Sequence, residues 1–315
     1  SDGSGAFGRH AQRKVIAAGM QAVVAGADLR EDQYTYSLLA APNYPELTDE
    51  LVTLNSDRGE TGFIIIDTPM RKNATEALAW VKNTAVATEN GEDGLVTNNT
   101  YSAAYYPAGS STEPVAGKTV IVPPSHMALY TFAYNDNISF PWFAPAGLTR
   151  GVVQNASAVG FITSEGEFKA ITLTQGQRDT MYTAKLNPIT TFTGQGTVIY
   201  GQKTLASTTT ALDRINVARL VAYLRERFDN IARPFLFEQN DAQTRARAKQ
   251  VFERFLADIL SRRGVTDFAV VCDTSNNTPA RIDANELYID VAIEPTKAAE
   301  FIYIPIRIVN TGELS

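Results

Sequence analysis

Phe63-Ile64-Ile65-Ile66 places four apolar residues in a row between Gly62 and Pro69. So short a run, closed off by chain breakers, predicts a fully apolar strand rather than a helix. Helical patterns flank it at residues 46–58 and 73–87. The second starts with Asn73 as N-cap and Glu76 three residues on, the two halves of a capping box. Residues 11–25 are also helix-compatible. Residues 34–41 predict a strand stopped by Pro42 and Pro45. Ser102–Tyr106 and Thr119–Val122 predict two short strands, and Pro123-Pro124 opens a helix through Tyr134. Strand alternating with helix in this way predicts a layered α/β unit.

The aromatic and proline-rich stretch Phe140-Pro-Trp-Phe-Ala-Pro-Ala-Gly147 interrupts that pattern. The chain has 315 residues, and at about 150 residues per domain two domains are expected. The seam divides it into 1–148 and 149–315. Beyond the seam a helix is expected at residues 175–186 and a strand at 198–200. Two long amphipathic helices follow. The first carries Val217, Leu220, Val221, Leu224 and Phe228 at helical spacing behind Asp213 as cap. The second, residues 240–263, carries Val251, Phe252, Phe255 and Ile259 on one face, and Gly264 ends it. The remainder is β: residues 268–272 are apolar, and residues 287–293 and 302–308 alternate with a period of two. The expected fold class is α/β: a layered α/β domain followed by an α+β C-terminal domain with two long helices and a small β-sheet.

Few residues offer chemistry. One cysteine, Cys272, excludes an internal disulfide framework, and two histidines, His10 and His126, leave little for a metal site or a His-centred relay. The net charge of −6 argues against a general nucleic-acid binder. No apolar run approaches the roughly 20 residues of a membrane span. Gly3-Ser-Gly5-Ala-Phe-Gly8 matches G-x-G-x-x-G, but the dinucleotide fingerprint needs a strand immediately before it, so a flexible loop is the better reading. Asp273-Thr-Ser-Asn-Asn277 resembles the start of a calcium loop. An EF-hand needs Gly and Glu where Thr278 and Ala284 stand, which leaves an Asx-rich turn. Ser125-His126 lacks a G-x-S-x-G elbow, and Cys272 reads as a buried small hydrophobe. No catalytic residue, cofactor or metal is expected.

Charge is unevenly spread. Residues 213–263 hold eleven Lys/Arg and seven Asp/Glu, a net of +4. Two ordinary solvated helix faces would account for this, and so would a basic face that docks an acidic partner.

Several stretches together resemble a family. They are Ser37-Leu-Leu-Ala-Ala-Pro42, Ser102-Ala-Ala-Tyr-Tyr-Pro107 with Val122-Pro-Pro-Ser125, and Trp142-Phe-Ala-Pro-Ala-Gly147 with Arg150-Gly151. Further on come Asn187-Pro188, Val198-Ile-Tyr-Gly-Gln-Lys-Thr204, Asp213-Arg-Ile-Asn-Val-Ala-Arg219, and Val271-Cys-Asp273 with Asn276-Asn-Thr-Pro279. Each is short, but their order and spacing resemble the contractile tail sheath proteins of bacteriophages from about Leu29 to Gly312. The chain looks like the C-terminal half of such a protein, without the family's N-terminal arm. On its own it is therefore expected to be a monomer in dilute solution.

The resemblance implies a structural subunit of the virion tail, made in the host cytoplasm. Residues 1–148 would be a middle domain and 149–315 an inner domain that faces the tube and links subunits. Its partners would be other sheath subunits, the tail tube protein, the baseplate and the tail terminator, with no direct nucleic acid and no membrane insertion. The family stores energy in two packings of the same subunits. On that reading Arg245, Arg247, Lys249 and Arg254 of the second helix are the expected tube-facing residues. Ile302, Ile304, Ile306 and Ile308 mark an expected intersubunit strand, joined to residues 287–293 by a six-residue link at 295–300. Pro305 withholds one backbone donor, which favours an edge position. Two competing readings remain: a non-contractile baseplate or scaffold component, and a nucleotide-binding α/β enzyme.

Overall fold

The computed structural model describes residues 6–300 and 302–303. In chain order its first elements are α1 (Ala6–Val24), β1 (Leu38–Ala40), α2 (Thr48–Asp57), β2 (Phe63–Asp67), α3 (Ala74–Val81) and β3 (Ser102–Tyr106). Next come β4 (Ala108–Thr112), β5 (Thr119–Val122), α4 (Pro124–Ile138), α5 (Gly147–Arg150), β6 (Ala158–Ile162), β7 (Phe168–Ala170) and α6 (Gln175–Thr183). The last are β8 (Leu186–Phe192), β9 (Gly196–Ile199), α7 (Ile215–Ala232), α8 (Ala242–Ser261), β10 (Val265–Val271), α9 (Pro279–Asp283) and β11 (Asp290–Pro295).

β2 is buried along its whole length. Successive side chains of a strand point to opposite faces. Ile64 and Ile66 enter one core with Leu47, Leu51 and Trp80; Phe63 and Ile65 enter another with Met127, Phe132 and Ile215. A strand covered on both faces reads as unbroken apolar sequence, which is why this run stood out. The sheet around it has the order β1-β2-β3-β8-β9. The first four strands are parallel and β9 closes the edge as an antiparallel partner of β8. The α/β layering is as expected. The boundary expected at 148/149 falls between strands of this one sheet, because β8 pairs with β3 through Ala104↔Leu186 and Tyr106↔Pro188.

A four-stranded antiparallel sheet, β5-β4-β6-β7, lies beside it. Only β5 of these was legible in the sequence. Ala108-Gly-Ser-Ser-Thr112 carries little apolar or β-branched signal, and Gly160 sits inside β6 because a Cβ there would fall 2.1 Å from the Lys169 carbonyl oxygen. β8 was also missed: the helix expected to run to Leu186 ends at Thr183, and Lys185 turns the chain with φ 65°.

Local signals fared better at α3. The Asn73 side chain accepts from the amides of Thr75 and Glu76 at 3.0 Å, and Glu76 accepts from the Asn73 amide at 2.8 Å. The helix stops at Val81 rather than at residue 87, with Asn83 and Val86 in the left-handed region. α4 begins after Pro123, whose ring offers no cap. Asp67 at the end of β2 supplies one from across the sheet. It accepts from the Ser125 amide at 2.5 Å, the Ser125 hydroxyl at 2.7 Å and the Asn43 amide at 2.7 Å.

A third core is built from α7, α8 and the β10–β11 pair, with Trp142 joining it from the aromatic stretch. The Trp142 indole donates to the Arg262 carbonyl at 3.0 Å and stacks on Phe140 at 4.8 Å between ring centroids. Asp213 does not cap α7; it ends a short 3-10 turn and pairs with Arg214 at 2.7 Å. Gly264 does not supply the left-handed residue after α8 either. Arg263 does, with φ 64°, and the Gly264 amide then reaches the Ile259 carbonyl at 2.9 Å. The glycine serves closeness instead, since a Cβ on it would meet Ile259 at 2.6 Å.

Candidate assembly interface

The buried stripe of α8 is Arg245, Ala248, Phe252, Leu256 and Ile259, with Thr244 beside it. These five positions are spaced three or four apart, so they share one face of the helix. Val251, expected on that face, is 40% exposed. Arg245, expected among the outward cations, is buried, and its guanidinium donates to the backbone carbonyl and side-chain oxygen of Asn240 at 2.9 and 3.0 Å. Its place in the stripe was readable from the spacing, but its charge hid it. Arg247, Lys249 and Arg254 are not in the buried stripe. Arg247 stands 3.6 Å from Glu238 and Lys249 3.9 Å from Glu253. Exposed pairs of this length contribute about 0–1 kcal/mol, so both cations are available to another partner.

β10 and β11 form a two-stranded antiparallel sheet that packs on α8. Ile289, Val291 and Ile293 turn inward, as the alternation at residues 287–293 predicts. The strand starts at Asp290 and runs to Pro295, and its partner is β10. Among the described residues neither outer edge of this pair has a neighbouring strand. Two strands expose their remaining backbone donors and acceptors on both sides, a template for further strands.

The Asx-rich turn between them is a strut. Asn276 donates to the carbonyls of Val271 and Tyr288 and to Asp290, and Asn277 donates to Tyr288 and accepts from its amide. Those bonds hold the long connection shut. Cys272 is buried beside it, and burial pushes its thiol pKa up, which keeps it protonated.

After β11 the chain is tied to the body. The Thr296 amide donates to the Gly264 carbonyl at 3.1 Å. The Glu300 carboxylate accepts from Gln202 at 3.0 Å and pairs with Arg214. Nothing in the sequence marked Glu300, because its partners are 86 and 98 residues away. Beyond that anchor Ile302 and Tyr303 are 81% and 87% exposed and lie in no strand. Ile304, Ile306 and Ile308 lie outside the described residues. Another pairing missed by sequence reasoning braces α7 against α4: Arg219 is buried, meets Asp136 at 2.5 Å and lies over the Phe132 ring at 4.8 Å.

The motifs weighed for chemistry separate in space. Ser125 is buried under Asp67 while His126 points outward. Gly8 sits inside α1, and Gly3 and Gly5 lie outside the described residues. Among the described residues no group of three or more His, Cys, Asp and Glu is placed to hold a metal ion, and no helix is long and apolar enough to cross a membrane.

Residues 207–309 match the phage tail sheath C-terminal domain family. Over 170 residues, 54% of this chain, the sequence is 38% identical to the tail sheath protein of Vibrio phage KVP40, and over 180 residues it is 36% identical to that of Enterobacteria phage T4. The chain spans only about a quarter of those relatives, 24% and 26% of their lengths. The fold is similar to a chain of the anti-feeding prophage baseplate in its contracted state, with a TM-score of 0.71 at 23% identity over 92% of this chain and 76% of that one. It is also similar to the sheath complex of an extracellular contractile injection system in the contracted state, with a TM-score of 0.69 at 20% identity over 87% of this chain and 71% of that one. Over more than half of its length the chain is therefore similar to phage tail sheath proteins, and residues 207–309 match the phage tail sheath C-terminal domain family.

Proposed function

We propose that this chain is part of a contractile tail sheath subunit. It polymerises with copies of itself around a tail tube, and contraction drives the tube through the host envelope. The observation that carries this reading is the identity of 36–38% to two phage tail sheath proteins across more than half of the chain. The role is structural rather than enzymatic, and the work of contraction comes from exchanging one set of subunit contacts for another. The protein is made in the host cytoplasm and ends in the virion tail, in contact with the baseplate and the tail terminator.

Within residues 149–315, the unit built from α7, α8 and β10–β11 acts as the inner, tube-facing part, and Arg247, Lys249 and Arg254 of α8 face the tube. Each such contact is weak, but a ring of subunits repeats it, so the sheath holds in sum and still lets go during contraction. The open edges of β10–β11 accept strands from neighbours, and Ile302, Ile304, Ile306 and Ile308 lie in the segment that such a neighbour donates. Five or six added backbone bonds at about 0.5–1.5 kcal/mol each contribute several kcal/mol per joint.

Electron microscopy of the protein at its full natural length, with and without tail tubes, tests the reading. Hollow helical sheaths or decorated tubes are expected. A protein that caps or bridges tail ends without forming tubes would instead be a baseplate or scaffold component. Reversing Arg247, Lys249 and Arg254 to Glu should weaken association with tubes and leave folding intact.

A further inference from the structure

Two apolar features lie at opposite ends of the α7–α8 hairpin. We propose that the Leu236–Phe237 knob of one copy seats in the groove beside Trp142 of a second copy and joins subunits head to tail. The proposal rests on the sheath reading, which supplies the second copy.

The knob is the turn between the two helices. Leu236 is 65% exposed and Phe237 fully so. Phe237 also holds a φ of 66°, in the left-handed region that side chains rarely adopt. The turn does not collapse onto the body because its base is braced. The Leu236 amide donates to the Arg233 carbonyl at 3.1 Å, the Glu238 amide donates to the Phe235 carbonyl at 3.3 Å, and the Arg247 guanidinium lies over the Phe235 ring at 5.4 Å. A strained residue presenting a large aromatic ring to water is the signature of a contact surface.

The groove has a volume of about 710 Å³ and opens between α5, α6, the end of β9, residues 296–300 and Ile302. Trp142, Leu148 and Tyr200 give it apolar walls. Arg150, Arg178 and Arg263 line it as well. None of the three forms an ion pair among the described residues. They stack on Phe143, Phe192 and Tyr200 instead, and together with Lys297 they outnumber the two carboxylates of the lining, Asp179 and Glu300, the latter already paired with Arg214. Glu238 follows the knob immediately and, among the described residues, is held only by Arg247 at 3.6 Å. An apolar tip followed by a carboxylate complements an apolar groove lined by guanidinium groups.

Geometry decides which copy fills the groove. Asn216 near the start of α7 and Arg263 just past the end of α8 both line it. The knob joins the other two ends of the same helices. α7 has 18 residues and is therefore about 27 Å long, too far for the knob to reach its own groove. A patch and its receptor at opposite poles of one rigid unit form a heterologous contact, which propagates as an open helical array unless rotation closes it into a ring.

Oxidative cross-linking tests this on the chain itself. The pair Leu236→Cys and Leu148→Cys leaves Phe237 in place, and native Cys272 is buried. On oxidation over a range of protein concentrations it should yield a ladder of covalent dimers, trimers and longer species. Adding Phe237→Ser should reduce that ladder by at least about tenfold, the effect of losing one aromatic anchor. A ladder that is absent at every concentration, that survives Phe237→Ser, or that forms equally when Val115→Cys, on a surface 94% exposed, replaces Leu236→Cys overturns the proposal. Sheath tubes that assemble without a 236–148 link overturn the knob and spare the sheath reading. A Leu236→Cys that links instead to a tube subunit also overturns it.

Discussion

Asp67 lies fully buried at the end of β2, and its ionisation makes folding stability depend on pH in a way that can be isolated. Two effects compete. Three donors on its oxygens favour the carboxylate, and burial disfavours it. Burial wins: desolvation lifts the pKa from 3.8 to about 6, against the hydrogen bonds from Asn43 and Ser125. A rise of that size is worth about 3 kcal/mol. The folded pKa lies above the unfolded one, so the folded state binds the proton more tightly. The stabilising contribution is thus complete below the unfolded value of 3.8 and is lost as pH rises through about 6. Asp67→Asn keeps the shape and removes the titration. Other carboxylates titrate in both proteins and cancel in the difference. Denaturant unfolding of the two proteins from about pH 4 to pH 8 should show the stability of the wild type relative to the variant falling by about 2.5 kcal/mol across that span. A flat difference would mean that the donors balance the burial. A difference that rises with pH would mean that they exceed it, and either result refutes the reasoning.

Leu256→Ala, at the centre of the α8 stripe, should cost about 2–5 kcal/mol of unfolding free energy with the fold retained, read by calorimetry. Asn73→Ala removes both accepted bonds of the α3 capping box and should cost about 1 kcal/mol by the same measurement. Gly160→Ala forces β6 away from the Lys169 carbonyl and should expose the β6–β7 amides to hydrogen exchange while those of β2 stay protected. Glu300→Gln weakens the bond to Arg214, so a protease should cut after residue 296 several-fold faster than in the wild type.

Elements that declare themselves locally were legible in the sequence. The β2 run, the Asn73 capping box, β3, β5 and the two long helices all depend on neighbours within a few residues. A sequence window contains everything that specifies them. The similarity to tail sheath proteins was legible for a related reason: the short stretches that carry it keep their order along the chain. What the sequence did not hold was pairing at a distance. β4, β6, β7 and β8 carry weak intrinsic signals and exist because other strands lie beside them. β11 alternates clearly, but only the folded chain chose β10 as its partner. Arg245 looked like a surface cation until α8 docked, because charge says outward and spacing says inward, and Asn240 settles the conflict by accepting its hydrogen bonds. Glu300 and Arg219 find their partners more than 80 residues away, where no periodicity reaches. The knob and the groove are the extreme case. The knob is an ordinary short stretch of sequence, the groove gathers residues from Trp142 to Ile302, and only the length of the α7–α8 hairpin sets them at opposite poles.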